Sequence, residues 1–134
     1  PNAARPETMQ GAEAFARFYF EQLNRAFVEA DDAPLNGLSQ KQCTTCESLA
    51  QGVRDVKGDG HHYGGNLVHV NYASTMEFTN DSRRVLVDLN QRSVPVLDGG
   101  GLTVDRTRAA KLAFVVTLEY KTRWVIARLQ KAQT

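Results

Sequence analysis

The sequence predicts an α+β domain, with N-terminal helices packed on a strongly curved antiparallel sheet. Three observations predict it. Apolar residues recur at three- and four-residue spacing up to about residue 57 and at two-residue spacing from Tyr63 onward. The strand-like runs are long and separated by turn clusters, which favours an antiparallel meander of about four twisted strands. The chain has 134 residues, enough for a single core that needs no metal or disulfide to hold it together.

The first helix is set by Ala12, Phe15, Ala16, Tyr19, Phe20, Leu23, Ala26, Phe27 and Ala30, opposite a polar side of Glu13, Arg17, Glu21, Arg25 and Glu29. Residues 1–10 carry Pro1 and Pro6 and no period, as expected of a flexible lead-in, so a single domain is assigned to 11–134. Pro34 ends the first helix, because a proline disfavours helical geometry at Ala33. Ser39 is positioned to cap a second helix from about Gln42 to Lys57, which Gly58-Asp59-Gly60 stops. In the next run Val68, Val70, Tyr72, Ser74, Met76 and Phe78 share one predicted face. Thr79–Ser82 is a turn, Val85, Val87 and Leu89 alternate, and a phase change near Gln91–Ser93 predicts a bulge or bend. Asp98-Gly99-Gly100-Gly101 is a further turn, followed by Leu112, Phe114, Val116, Leu118 and Tyr120 and then by Trp124–Leu129.

Composition narrows the function classes. Sixteen Lys and Arg against fifteen Asp and Glu leave a net charge of +1, with no field pointing to nucleic acid or an anionic membrane. No apolar run approaches the ~20 residues that span a bilayer. The chain starts at Pro1 without an apolar leader, so it is expected to be a mature product or an excised piece.

The run Gly11-Ala12-Glu13-Ala14-Phe15 through Tyr19-Phe20 and Leu23-Asn24-Arg25-Ala26 is similar to the first helix of an uncharacterised actinobacterial lipoprotein family. The acidic Asp31-Asp32, the pair Cys43 and Cys46, the Gly60–Gly65 loop, Val94–Asp98 and Arg123–Ile126 extend the likeness from about Glu7 to the end. That family resembles at fold level the nuclear-transport-factor-2-like (NTF2-like, SnoaL-like, cystatin-like) cones. The resemblance implies a secreted domain at the cell envelope, held by a lipid anchor upstream of Pro1, and it implies no assigned activity.

Five groups of residues carry candidate chemistry. Cys43 and Cys46, at i and i+3 of a helix start, suit a structural disulfide that persists in an oxidising compartment; a redox pair, a metal site and free thiols are the alternatives. Cys43, Cys46, His61 and His62 can be written as a zinc set, but adjacent histidines on an extended segment point apart, so no metal is expected. An isomerase-like site needs an inward carboxylate and an oxyanion donor. Asp88 is predicted to face solvent, and Tyr19 and Tyr72 are inward tyrosines of the kind cores commonly hold. Gly99–Gly101 lacks the following helix of a phosphate cradle. Arg83, Arg84, Arg92, Arg106, Arg108, Lys111, Lys121 and Arg123 alternate with apolar residues as on a solvated sheet face, with an anionic envelope polymer or lipid headgroups as the alternative partner.

The expectation is therefore a non-catalytic extracytoplasmic domain without cofactor that binds an envelope protein or a small apolar ligand, with homodimer formation open. Tyr19, Leu23, Phe27, Tyr72, Phe114 and Trp124 are the candidate pocket lining. The alternative is a small-molecule isomerase, cyclase or hydrolase built on the same cone.

Overall fold

A computed structural model describes residues 2–132. Helix α1 (Met9–Glu29) starts where Thr8 accepts a hydrogen bond from the Gly11 amide through its hydroxyl, 2.9 Å away. It ends at Ala30, which takes a left-handed conformation (φ 52°) and returns its N–H to the Ala26 carbonyl. The apolar stripe anticipated for this helix is its buried face: Ala12, Phe15, Ala16, Tyr19, Phe20, Leu23, Ala26 and Phe27 are all in the core. Helix α2 (Thr44–Gly58) follows a 3-10 turn at Ala33–Leu35 and buries Cys46 and Val53. Its cap is Cys43, not Ser39. Ser39 instead bridges in parallel to Ile126, with Gln40 N–H donating to the Ile126 carbonyl and Ile126 N–H to the Leu38 carbonyl. That pairing ties the backbone on both sides of Ser39, the Leu38 carbonyl and the Gln40 N–H, to β7 and holds this segment extended.

The strands are β1 (His62–Tyr63), β2 (Val68–Phe78), β3 (Arg83–Gln91), β4 (Pro95–Leu97), β5 (Thr103–Arg106), β6 (Ala110–Tyr120) and β7 (Trp124–Lys131). Four of them form the anticipated antiparallel meander, in the order β2-β3-β6-β7. The rest form a separate small sheet, β1-β4-β5, into which the chain turns after the phase change near Gln91–Ser93. The main sheet is open: β2 and β7 are edges and are not joined to each other. Its inner face carries Val85, Val87, Leu89, Val116, Leu118, Trp124, Ile126 and Leu129, all buried under α1 and α2.

The face assigned to β2 needs correction. Register shifts occur between Val70 and Tyr72 and again between Thr75 and Glu77. Each bulge adds one residue and reverses the alternation. Val68, Val70, Ala73, Thr75 and Phe78 are consequently the more protected residues, and Tyr72, Ser74 and Met76 turn to the uncovered side.

Both edges of the main sheet are protected, as exposed edges must be. Gln40 and Leu38 occupy the outer backbone groups of Ile126 in β7. On β2, the Asn24 side chain donates to the Val68 carbonyl and accepts from the Val68 amide, each at 2.9 Å, so that one helix side chain substitutes for a neighbouring strand. About three turns nearer the start of α1, Glu13 accepts from the Thr75 amide at 2.9 Å and from its hydroxyl.

One buried group in this core has no partner among the described residues, the Tyr19 hydroxyl. Burial pushes its pKa up from the ordinary tyrosine value. Removing an unpaired buried hydroxyl costs nothing in hydrogen bonds, so Tyr19→Phe is expected to leave stability unchanged or raise it by up to about 1 kcal/mol at pH near 7. Because the folded state holds the proton more tightly, the native protein loses stability as pH rises past about 10, and the variant lacks that part of the loss. Urea unfolding on both sides of that pH checks the two statements.

Candidate binding groove

The first residues fold back onto the domain. Ala4 is buried, the Tyr120 hydroxyl donates to the Arg5 carbonyl (3.3 Å), and the Trp124 indole N–H donates to the Pro6 carbonyl (2.9 Å). Gly11 makes this approach possible, since a Cβ there would stand 2.0 Å from the Pro6 oxygen. Glu7 meets Arg83 at 2.6 Å, and the Arg83 guanidinium lies 4.7 Å from the Phe78 ring centroid and 5.5 Å from that of Trp124. Arg83 is thus no part of a solvated face: its side chain is only 13% exposed, and it covers the end of the core.

Folding back leaves an open groove of about 350 Å³ beside the start of β7. Phe18 of α1 and Tyr120 are its partly exposed aromatic side chains, and the buried Phe15 and Trp124 also border it. Ala4 and Arg5 of the lead-in border it on one side, and Gly37 and Leu38 of the interhelical loop on another. Thr122 and Arg123 of the β6–β7 hairpin complete it. Trp124 packs edge-on to Tyr120, with centroids 5.0 Å apart, and Phe15 lies 6.4 Å from Phe18. A larger opening, about 530 Å³, lies near the two hairpin tips, where Glu7, Asp81, Arg83, Glu119 and Lys121 mix both signs of charge.

The six candidate lining residues do not surround one cavity. Tyr19, Leu23 and Phe27 are packed in the core, Phe27 stacked on Tyr63 at 4.5 Å. Phe114 is half-buried against Phe20, at 5.8 Å. Tyr72 stands 47% exposed on the opposite side of the sheet, as the bulge requires. Trp124 alone of the six borders the groove. Sequence reasoning missed Arg5, Phe18 and Gly37; Gly11 following Pro6 at a helix start was the one available sign that the lead-in crosses close to α1.

Cys43 and Cys46 form a disulfide, with their Cα atoms 5.3 Å apart. It leaves no free thiol for the zinc set written with His61 and His62. Among the described residues no group of three His, Cys, Asp or Glu side chains is placed to hold a metal ion. Asp88 faces outward and accepts from Asn71 at 2.8 Å. Asp98 closes the glycine-rich hairpin tip; backbone N–H groups of Leu102 and Gly100 hold its carboxyl below the usual range.

Two helices laid on one face of an open antiparallel sheet, with a small second sheet beside it, define the class: an α+β domain with a filled core. Within that class the chain belongs to a family of unknown function, DUF6318, whose profile matches residues 1–130. No curated protein matches it. Among solved structures the chain is similar to the intermembrane space region of the chloroplast protein ARC6, at 12% identity and a TM-score of 0.61 over 95% of this chain and 98% of that one. It is also similar to the putative transfer protein TraH from the Gram-positive conjugative plasmid pIP501, at 9% identity and a TM-score of 0.49 over 90% and 92% of the two chains. The ARC6 likeness is one of fold. No helix among the described residues is long and apolar enough to cross a membrane.

Proposed function

We propose that the chain is a non-catalytic extracytoplasmic domain that binds a small apolar ligand in the groove beside Trp124. The observation that carries this reading is the groove itself: an aromatic-walled opening of about 350 Å³, within the size range of ligand sites, on a domain whose interior is filled by side chains. The disulfide supports a location outside the reducing cytoplasm, where such bonds persist. Lipid tethering and a relation to the nuclear-transport-factor-2-like cones rest on the resemblance of the first helix, and the two bulges of β2, which bend a strand, favour the curved sheet such a cone needs.

Titration with decanol tests the proposal. Trp124 is the one tryptophan, so its fluorescence reports the site directly. Saturable binding is expected, with amide shifts at Leu38 and Thr122, and Phe18→Glu should weaken it at least about ten-fold, roughly 1.4 kcal/mol. No saturable response, or shifts away from the groove, would overturn it.

A second reading places a protein partner or a second copy on the uncovered sheet face, where Tyr72 and Met76 are nearly half exposed beside the outward Leu86 and Val115. Shifts of those residues with protein concentration would mark self-association, and their constancy would exclude the second copy.

A further inference from the structure

We infer that the ligand of this groove is an anionic amphiphile: a single apolar chain lies against the aromatic wall, and its anionic head sits between Arg5 and Arg123. The inference rests on the groove being the binding site and adds the chemistry of the head group.

Arg5 and Arg123 come from distant parts of the chain and border the same opening, and none of the residues lining it is acidic. Arg5 and Arg123 meet no carboxylate within 4.0 Å among the described residues, as is also true of Arg17, Arg92, Arg106, Arg108 and Arg128; what sets the two apart is that both border this one opening. Two unpaired guanidinium groups at the mouth of an apolar groove attract a carboxylate or phosphate, for which the planar fork is suited.

The backbone places Arg123 there at a cost. The Lys121 and Arg123 backbones exchange hydrogen bonds of 3.0 and 2.9 Å, so Thr122 alone forms the bend between them. Thr122 has φ 71°, a left-handed value that a β-branched residue adopts only under strain. The strained turn carries the guanidinium to Gly37, where it rests 3.1 Å from the position a Cβ would take. Gly37 itself has φ 76°. A side chain at that position would therefore displace Arg123 as well as strain the loop.

A free single-chain molecule fits better than a membrane surface. The opening is concave, bounded by α1, the lead-in, the interhelical loop and a hairpin, and its volume of about 350 Å³ is at the small end for ligand sites.

The probes are decanoate, decanol and decyltrimethylammonium below their micellar concentrations, together with vesicles of an anionic phospholipid. Decanoate is expected to bind about ten-fold or more tighter than decanol, and the cationic probe weakest, with the preference shrinking as salt rises. Arg5→Gln and Arg123→Gln should each narrow the preference for decanoate over decanol, with circular dichroism showing that each variant folds. Equal binding of decanoate and decanol overturns the anionic head while the groove stands. Failure of both overturns the groove and the inference with it. Binding to the vesicles without binding to decanoate overturns the free amphiphile in favour of a surface.

Discussion

Replacing Trp124 with alanine is expected to cost about 3–5 kcal/mol, the usual range for truncating a buried indole. This side chain joins three parts of the molecule. It packs on Tyr120 and Phe78, lies under the Arg83 guanidinium, and donates its N–H to the Pro6 carbonyl. The truncation removes the ring's packing and leaves the Pro6 carbonyl without that donor. Trp124→Phe keeps most of the packing and loses the hydrogen bond, so about 1–2 kcal/mol is expected for it. Urea unfolding followed by circular dichroism measures both. Hydrogen exchange adds a local readout: in both variants the amides of residues 2–8 should exchange faster than in the native protein, because the bond holding the lead-in is gone. Unaltered exchange there would show that the lead-in is held by other contacts.

The second large effect is expected at Asn24. Its amide is buried on α1 and satisfies both outer backbone groups of Val68. Asn24→Leu leaves that N–H and C=O buried and unpaired, at about 1–3 kcal/mol each, for a total loss of roughly 2–6 kcal/mol. It also uncovers an edge strand, so aggregation on partial unfolding should increase. The variant N24D separates hydrogen bonding from packing. Its carboxylate would accept from the Val68 amide but repel the Val68 carbonyl. Burial and the carbonyl would raise its folded pKa above the unfolded value near 4. The stabilising, protonated form is then fully present below that unfolded value and is lost as pH rises. The deficit of N24D relative to the native protein should accordingly shrink below about pH 4, whereas that of Asn24→Leu should not.

Much of the fold was legible because it rests on period. The stripe from Ala12 to Phe27 and the alternation of Val85, Val87 and Leu89 are set by burial on one side, and burial leaves its mark in the sequence. What was not legible depends on partners distant in the chain. The bulges of β2 place Tyr72 outside, and no local residue marks them. Ser39 makes a good helix cap in isolation, but its neighbours Leu38 and Gln40 are hydrogen-bonded to the edge of β7. Arg83 has the spacing of a surface cation, and only the assembled core reveals the rings beneath it. The groove shows the same limit. Trp124 borders it from a strand with a clear period, whereas Arg5 and Gly37 come from segments without any period and reach the groove only because Gly11 and the β6–β7 hairpin draw the chain together.

The central claim is that this domain binds its ligand at the rim, beside Trp124, over an interior already filled by Tyr19, Phe20 and Leu23. Xenon introduced under pressure into crystals of the protein tests it most directly, because xenon enters apolar space without regard to head-group chemistry. Xenon density is expected in the groove against Phe18 and Trp124, and none between α1 and the main sheet. Density around Tyr19 and Leu23, with the groove empty, would contradict it.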